Sequence, residues 1–241
     1  MESLSKNKIK WIRSLHTKKY RVEEHCFLVE GEKMVLEGIH TFSDHLLCII
    51  VEKEAVSLVP QHVTDRCFLA SELEMKQIST MVTPNKLVAV FKQPTRSITT
   101  SKSIVLDGIQ DPGNLGTILR LADWFGIHQI ICSEDTVDCY NPKVVQASMG
   151  AIFRISVSYQ NLPQFLIASK QPTFGAMLNG TDFRTIEYPE NALLILGNEG
   201  KGVRPEVQSA IQTAITIPKK GDAESLNVAA AAAILIAQMT L

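Results

Sequence analysis

The 241 residues contain no uncharged apolar run longer than Val228–Ala237. That is about half of the roughly 20 residues a transmembrane helix needs, so no membrane span is expected. Residues 1–10 are polar and basic with no apolar stretch, so no secretory signal is expected either. The five cysteines (Cys26, Cys48, Cys67, Cys132 and Cys139) stand singly, without a CxxC pair. They argue against a zinc ribbon or a disulfide framework and point to reduced thiols in a cytoplasmic protein. Five of the six histidines (His16, His25, His40, His45 and His62) lie in the first part of the chain with no HExxH and no paired ligand spacing, and His128 opens a strand. No metal is implied. There is no GxSxG nucleophile elbow. Hydrophobic residues at 45% and charged residues at 20% are near the globular average, which excludes wholesale disorder. The length allows one large domain or two modest ones.

Charge is present but uneven. The formal net charge is -1, yet residues 1–21 hold Lys6, Lys8, Lys10, Arg13, Lys18, Lys19 and Arg21 against Glu2 alone. This stretch therefore carries +6 and the rest of the chain -7. Such a segment is either a solvated helix face or a patch that meets a polyanion.

The chain divides into two parts. In residues 1–92, strand-like runs (Cys26–Glu30, Leu46–Val51, Cys67–Ala70, Leu87–Lys92) alternate with helical patterns at Ile9–Leu15, Gly31–Gly38 and Ser71–Thr80. Gln93–Ser103 (QPTRSITTSKS) is polar and aperiodic, and reads as a linker. From residue 104 strands and helices alternate regularly. Strands are expected at Ile104–Asp107, Gln129–Cys132, Phe153–Val157, Thr173–Leu178, Ala192–Leu196 and Ala214–Ile217, and helices at Leu115–Phe125, Pro142–Met149, Leu162–Ala168, Pro205–Ile211 and Leu226–Met239. That order predicts an α/β domain whose parallel sheet has helices on both faces. Ligands in such sheets bind beyond the C-terminal ends of the strands.

Three segments follow strands there. In Asp107–Arg120 (DGIQDPGNLGTILR), Pro112, Gly113 and Asn114 form a turn, and a helix is expected to start near Asn114, which can cap it. Arg120 shares a face with residues 116, 117, 123 and 124. Gly116 admits close approach to a helix end suited to anions. An ordinary capped helix with a solvated arginine accounts for the same pattern. In Leu196–Val203 (LGNEGKGV) the glycines fit neither the P-loop nor G-x-G-x-x-G, which argues against ATP and ordinary NAD binding. They leave backbone groups available to a ligand, and Glu199 adds a charge, although a plain strand-to-helix turn would look alike. In Ile217–Ala233 (IPKKGDAESLNVAAAAA), Ser225 is a good helix cap. Asn227, a polar amide at the start of an apolar helix, needs a partner or a functional reason. The helix itself is apolar all round, so burial is expected, with a second subunit as one covering surface.

In their order and spacing over residues 104–241, DPGNLGTILR, KVVQASMGAIFRI, LGNEGKGV and IPKKGDAESLNVAAAAAI resemble the TrmH/SpoU-type RNA 2'-O-ribose methyltransferases of the SPOUT superfamily. Residues 1–92, including FLVEGEKMV, are similar to the L30e/L7Ae-like RNA-binding domain that often precedes that catalytic domain. The resemblance implies a sheet whose last 50 or so residues thread a deep trefoil knot, an exception to the rule against knots. It also implies S-adenosylmethionine held at the knot mainly by backbone groups, and a homodimer with the site near its interface. Carried over by position, Asn114, Arg120, Glu199, Ser225 and Asn227 match catalytic or active-site residues. Gly197, Ile217 and Leu226 match cofactor contacts, with Leu178 and Asn179 as further candidates. Asn141 and Gln146 fall where relatives vary, in a stretch that tunes RNA contacts.

The implied reaction is methylation of a ribose 2'-hydroxyl without metal or covalent intermediate, resting on in-line positioning and an activated oxygen. The family proposal assigns activation to Arg120. An arginine pKa above about 12 sits badly with that, and holding a phosphate or a developing alkoxide is the alternative. Ribosomal RNA is the expected substrate because of the N-terminal domain, with basic residues 1–21 supplying phosphate contacts. A tRNA 2'-O-methyltransferase and a non-catalytic RNA-binding or assembly protein on the same fold are the other readings. A dinucleotide oxidoreductase lacks its fingerprint after any strand.

Overall fold

The computed structural model describes residues 1–95 and 97–241; position 96, inside the expected linker, lies outside the described residues. The chain forms two compact units. The first comprises Met1–Thr95 together with Tyr140–Phe153, and the second the remaining described residues.

The first unit runs β1 (Glu2–Ser3), α1 (Lys6–Ser14), α2 (Lys18–Glu24), β2 (Cys26–Glu30), α3 (Glu32–Thr41), β3 (Leu46–Glu52), β4 (Cys67–Ala70), α4 (Glu72–Ile78) and β5 (Leu87–Lys92). Its five strands order β1-β4-β3-β5-β2. β1 and β3 flank β4 in parallel, and β5 runs antiparallel to both β3 and β2. The helices form where capping groups meet apolar periodicity. Ser5 caps α1 by accepting from Lys8 N–H, and Ser71 and Glu74 form a reciprocal capping box on α4. Ile9 and Ile12 of α1 then bury against Met75 and Ile78 of α4 in the core beside β2, β3 and β5.

The second unit runs β6 (Ser103–Asp107), α5 (Pro112–Trp124), β7 (Gln129–Ser133), then, after α6 (Pro142–Ser148) in the stretch that packs with the first unit, β8 (Ser156–Gln160), α7 (Leu162–Ser169), β9 (Thr173–Asp182), β10 (Leu193–Gly197), α8 (Pro205–Gln208), β11 (Thr213–Thr216) and α9 (Val228–Thr240). Its six strands are all parallel, in the order β11-β9-β10-β6-β7-β8. Val105, Ile131, Leu193 and Ile195 face Leu162 and Leu166 of α7 and Val207 of α8. Side chains alternate across a strand, so Ile104, Leu106, Leu194 and Leu196 point to the opposite face. There α9 packs on β10 and α5, and α5 also packs on β7. Both faces are covered.

Several expectations are corrected. α2 was not anticipated. The strand expected at Phe153–Val157 is a 3-10 turn at Ala151–Phe153 followed by β8. Phe153 instead joins Phe27, Phe42 and Phe91 in an aromatic cluster of the first unit, and the Tyr140 ring lies tilted against Phe27 with centroids 4.6 Å apart. That cluster draws residues 140–153 out of the linear order, and Asn141 caps α6 there. Within the single chain, α9 leaves Ala230, Ile234 and Gln238 exposed, and the expectation of a second subunit as a covering surface is not contradicted by this. All five cysteines are buried, and burial pushes the Cys26 and Cys48 thiols up to about 11, so they stay protonated near neutral pH. Among the described residues no helix is long and apolar enough to cross a membrane.

Arg21 is also unlike its neighbours in the basic segment. It is buried, and its Nη1 donates to the carbonyls of Leu15 (2.8 Å) and His16 (2.9 Å), closing the turn between α1 and α2. Arg21 is therefore withdrawn from the expected RNA contacts. Replacing it by leucine leaves two carbonyls without these donors and is expected to cost about 2 kcal/mol, read as a lower midpoint in urea unfolding. An unchanged midpoint contradicts the assignment.

Candidate active site

β6 and β10 are adjacent, with Asp107 opposite Gly197 at their C-terminal ends. From β6 the chain proceeds outward to β7 and β8, whereas the other neighbour of β10 is β9. The region beyond the ends of two strands that diverge in this way is the usual ligand position in an open parallel sheet. The first turn of α5, which follows β6, carries Asn114, and the loop after β10 carries Glu199.

The helix cap of α5 is Asp111, not Asn114. Its Oδ1 accepts from Asn114 N–H at 2.8 Å, and Pro112 takes the first helical position, where a missing N–H costs nothing. Likewise α9 is capped by Asn227, not by Ser225. Asn227 Oδ1 accepts from the N–H groups of Ala229 (2.9 Å) and Ala230 (3.2 Å). These shifts free the Asn114 side chain and aim it. Asn227 Nδ2 donates to Asn114 Oδ1 at 3.0 Å, and Asn114 Nδ2 donates to Glu199 Oε1 at 2.8 Å.

This row of amides has only one consistent polarity. Backbone N–H groups can bond only the oxygen of Asn227, and a carboxylate can accept only from the nitrogen of Asn114. Both ends thus fix both amide orientations. The positive end of the α9 dipole lies at one terminus of the row and the Glu199 carboxylate at the other, an arrangement that is electrostatically favourable.

The loop holding Glu199 is braced independently. Asn198 and Gly202 exchange backbone hydrogen bonds (3.0 and 2.9 Å), and Asn198 Oδ1 accepts from Gly200 and Lys201 N–H at 2.9 and 3.1 Å. Asn198 Nδ2 reaches across to the Gly108 carbonyl at 2.7 Å, tying the β10 loop to the β6 loop. Gly197 is required at the base, because a Cβ there would lie 2.2 Å from Val203 N. Below it, the buried Asp107 carboxylate accepts from Arg204 N–H (2.8 Å) and Nε (2.7 Å). The Asp107 hydrogen bond raises the Arg204 pKa above its ordinary value. Asp107, Asp111, Asn198 and Arg204 were not singled out from the sequence. An acid ending β6 and an asparagine opening a tight loop were their only local signals.

The structure thus joins Asn114, Glu199 and Asn227. It does not bring Arg120 or Ser225 into that row. Arg120 is exposed on α5, about 9 Å along and roughly 120° around the helix from Asn114. Ser225 lies exposed two residues before the α9 cap. Four of the five expected cofactor residues lie on or directly after three neighbouring strands, and the fifth, Leu226, directly precedes the α9 cap. Gly197 ends β10 and Ile217 follows β11. Leu178 and Asn179 lie where β9 breaks register: its pairing with β11 jumps from Gly175 opposite Ala214 to Thr181 opposite Ile215. Gly180 permits this, since a Cβ would meet the Ala214 carbonyl oxygen at 2.6 Å. Leu178 (76% exposed) and Leu226 (50% exposed) present apolar side chains to solvent. Among the described residues no group of three or more His, Cys, Asp or Glu side chains could hold a metal ion.

Residues 101–237 match the SpoU rRNA Methylase family, and residues 6–89 match the MRM3-like substrate binding domain. The chain belongs to the SpoU rRNA methylase family. It is 35% identical to the 23S rRNA (guanosine(2553)-2'-O)-methyltransferase RlmP of Bacillus subtilis, over 98% of this chain and 97% of that protein. A TrmH-family structure from Porphyromonas gingivalis superposes with TM-score 0.89 at 39% identity, covering 98% of this chain and 97% of its own. An AdoMet-bound rRNA methyltransferase from Sinorhizobium meliloti gives TM-score 0.87 at 30% identity, covering 99% and 95%. The architecture is accordingly an N-terminal mixed-sheet domain followed by a six-stranded parallel sheet of the SPOUT-like type.

The bracing of the Glu199 loop carries its own test. Asn198→Ala removes the acceptor of two amides and is expected to speed hydrogen exchange at Gly200 and Lys201 by about tenfold, leaving β10 amides unchanged. Unaltered exchange at both positions contradicts the bracing role.

Proposed function

We propose that the chain is an S-adenosylmethionine-dependent methyltransferase acting on a ribose 2'-hydroxyl of ribosomal RNA. The observation that carries this reading is the union of Asn114, Glu199 and Asn227, from three segments distant in sequence, beside the strand ends of the SpoU methylase sheet. The relatives named for 23S rRNA 2'-O-methylation and for bound AdoMet support the substrate and cofactor.

The residues present fit that cofactor. Glycine at position 197 keeps side-chain bulk away from the loop base, while exposed Leu178 and Leu226 offer apolar surface to an adenine ring. Backbone groups of Gly197, Ile217, Leu226, Leu178 and Asn179 would hold it. When bound, it would supply an electrophilic methyl group, carried on a positively charged sulfur that leaves as a neutral thioether, for transfer to the ribose 2'-oxygen. Arg120, exposed and permanently charged, holds the neighbouring phosphate and stabilises negative charge developing on the 2'-oxygen. Water or the phosphate takes the proton, because a guanidinium is too weak an acid to be a base near neutral pH. Glu199 and Asn114 orient the ribose, Asn227 fixes the polarity of Asn114, and Ser225 contributes from the segment that leads into α9.

The finer assignments belong to the same reading. Residues 1–92 act as an L30e-like RNA-binding domain, 93–103 as the linker and 104–241 as the catalytic domain, in which the last 50 or so residues form the trefoil knot. The protein works in the cytoplasm as a homodimer. Support for the dimer comes from the exposed Trp124 of α5 and Ile234 of α9, apolar residues on helices that pack together.

The reaction is tested with methyl-labelled cofactor and unmodified total RNA, separated into rRNA and tRNA and hydrolysed in alkali. A 2'-O-methyl group blocks cleavage of its own phosphodiester, so label is expected in alkali-resistant dinucleotides from rRNA. Arg120→Ala is expected to lower it by about a hundredfold or more, and Arg120→Lys to restore little. Label confined to tRNA, or absent from both, overturns the proposal.

A further inference from the structure

The basic segment is not one uniform patch, and the side chains divide by what they touch. Arg21 is internal, Lys8 lies over the Phe68 ring at 3.6 Å, and Lys19 pairs with Glu23 at 3.8 Å. Lys6, Lys10 and Arg13 differ. They recur at i, i+4 and i+7 on α1, all exposed, on a helix that contains no acidic residue. With Ile9 and Ser14 of α1 and Gln77 of α4 they line a cavity of 420 Å³ that no carboxylate enters. None of the ion pairs among the described residues involves these three cations. The glutamates on α4 are engaged elsewhere, Glu72 with Lys76 and Glu74 in the capping box.

We infer that this α1–α4 groove is the phosphate-binding track of the N-terminal domain, seating a stretch of RNA backbone on Lys6, Lys10 and Arg13. The inference rests on the proposed RNA substrate and names the surface that receives it. Three cations spaced about 6 and 4.5 Å along the helix axis suit consecutive phosphates of one strand. Arg13 adds a planar fork that can grip a phosphate with two parallel hydrogen bonds. Ser14 already donates its hydroxyl hydrogen to the Trp11 carbonyl at 2.6 Å, so its oxygen is left to accept, which suits a ribose 2'-hydroxyl donor. Gln77 supplies both a donor and an acceptor at the opposite wall. Three of the six lining residues are cations suited to phosphates, so the groove chiefly sets position and affinity.

The test compares the full-length protein with Lys6→Gln/Lys10→Gln/Arg13→Gln and with Lys18→Gln/Lys19→Gln, which removes charge from the same segment outside the groove. Affinity for unmodified ribosomal RNA is measured across a salt series, alongside methyl transfer and cofactor binding. The triple variant is expected to bind RNA at least about tenfold more weakly near 0.1 M salt, and to lower the slope of log affinity against log salt by about 2. Its cofactor affinity and turnover at saturating RNA stay unchanged, while its KM for RNA rises. The Lys18/Lys19 variant keeps the parent slope. An unchanged slope in the triple variant, or equal losses in both variants, overturns the groove, and so does loss only of binding to an acidic protein partner. If the parent protein itself transfers no methyl group to RNA, it is the proposed reaction that has failed, and the binding slopes still decide the groove.

Discussion

The site hangs on a row of two side-chain amides. Asn227 is tied to the N-terminus of α9, Asn114 to Asn227, and Glu199 to Asn114, so three segments separated by 85 and 113 residues meet through two hydrogen bonds. Each amide could in principle be turned over. Neither can be here without setting two donors or two acceptors face to face, because the helix N–H groups and the carboxylate dictate the ends. A row with one allowed polarity is a positioning device: it gives the Glu199 carboxylate a defined partner before any ligand arrives, so less reorganisation remains for the reaction.

What surrounds this row keeps its ends still. The parallel pairing of β6 and β10 places Asp107 beside Gly197, and the Asp107–Arg204 ion pair and the Asn198 bridge to Gly108 fasten the two loops that emerge there. A buried carboxylate with one partner removed is costly, so this pair acts more as a constraint on loop geometry than as a source of net stability. Small alanines on α9 let it lie against α5, which carries Asn114 and Arg120, so the helix that caps the row also fixes the helix that bears the candidate catalytic groups.

Much of this was legible in the residues. Apolar runs such as Ile104–Asp107 and Ala192–Leu196 announce buried strands, and all six strands of the second sheet pair in parallel as their alternation with helices implied. The family resemblance assigns Asn114, Arg120, Glu199, Ser225 and Asn227 to one site, and hydrogen bonds join three of them, Asn114, Glu199 and Asn227. Local chemistry misled at the helix starts, where Asp111 competes with Asn114 and Asn227 with Ser225. Each pair contains two good caps, and only long-range partners settle which is used. Asn198, Asp107 and Arg204 were hidden for a related reason, since their roles arise from strand register. The affinity of residues 140–153 for the Phe27–Phe91 cluster depends on tertiary packing that no periodicity records.

The central claim is that Asn114 and Asn227 act as one unit. It is tested most directly by a double-mutant cycle on single-turnover methyl transfer, comparing Asn114→Ala, Asn227→Asp and the double variant. Asn227→Asp keeps a cap for α9 but loses the nitrogen that donates to Asn114, so stability should hold while transfer slows. The double variant is expected to be no slower than the worse single variant, as for residues that work through each other. Losses that multiply would mean that the two amides act separately, and would contradict it.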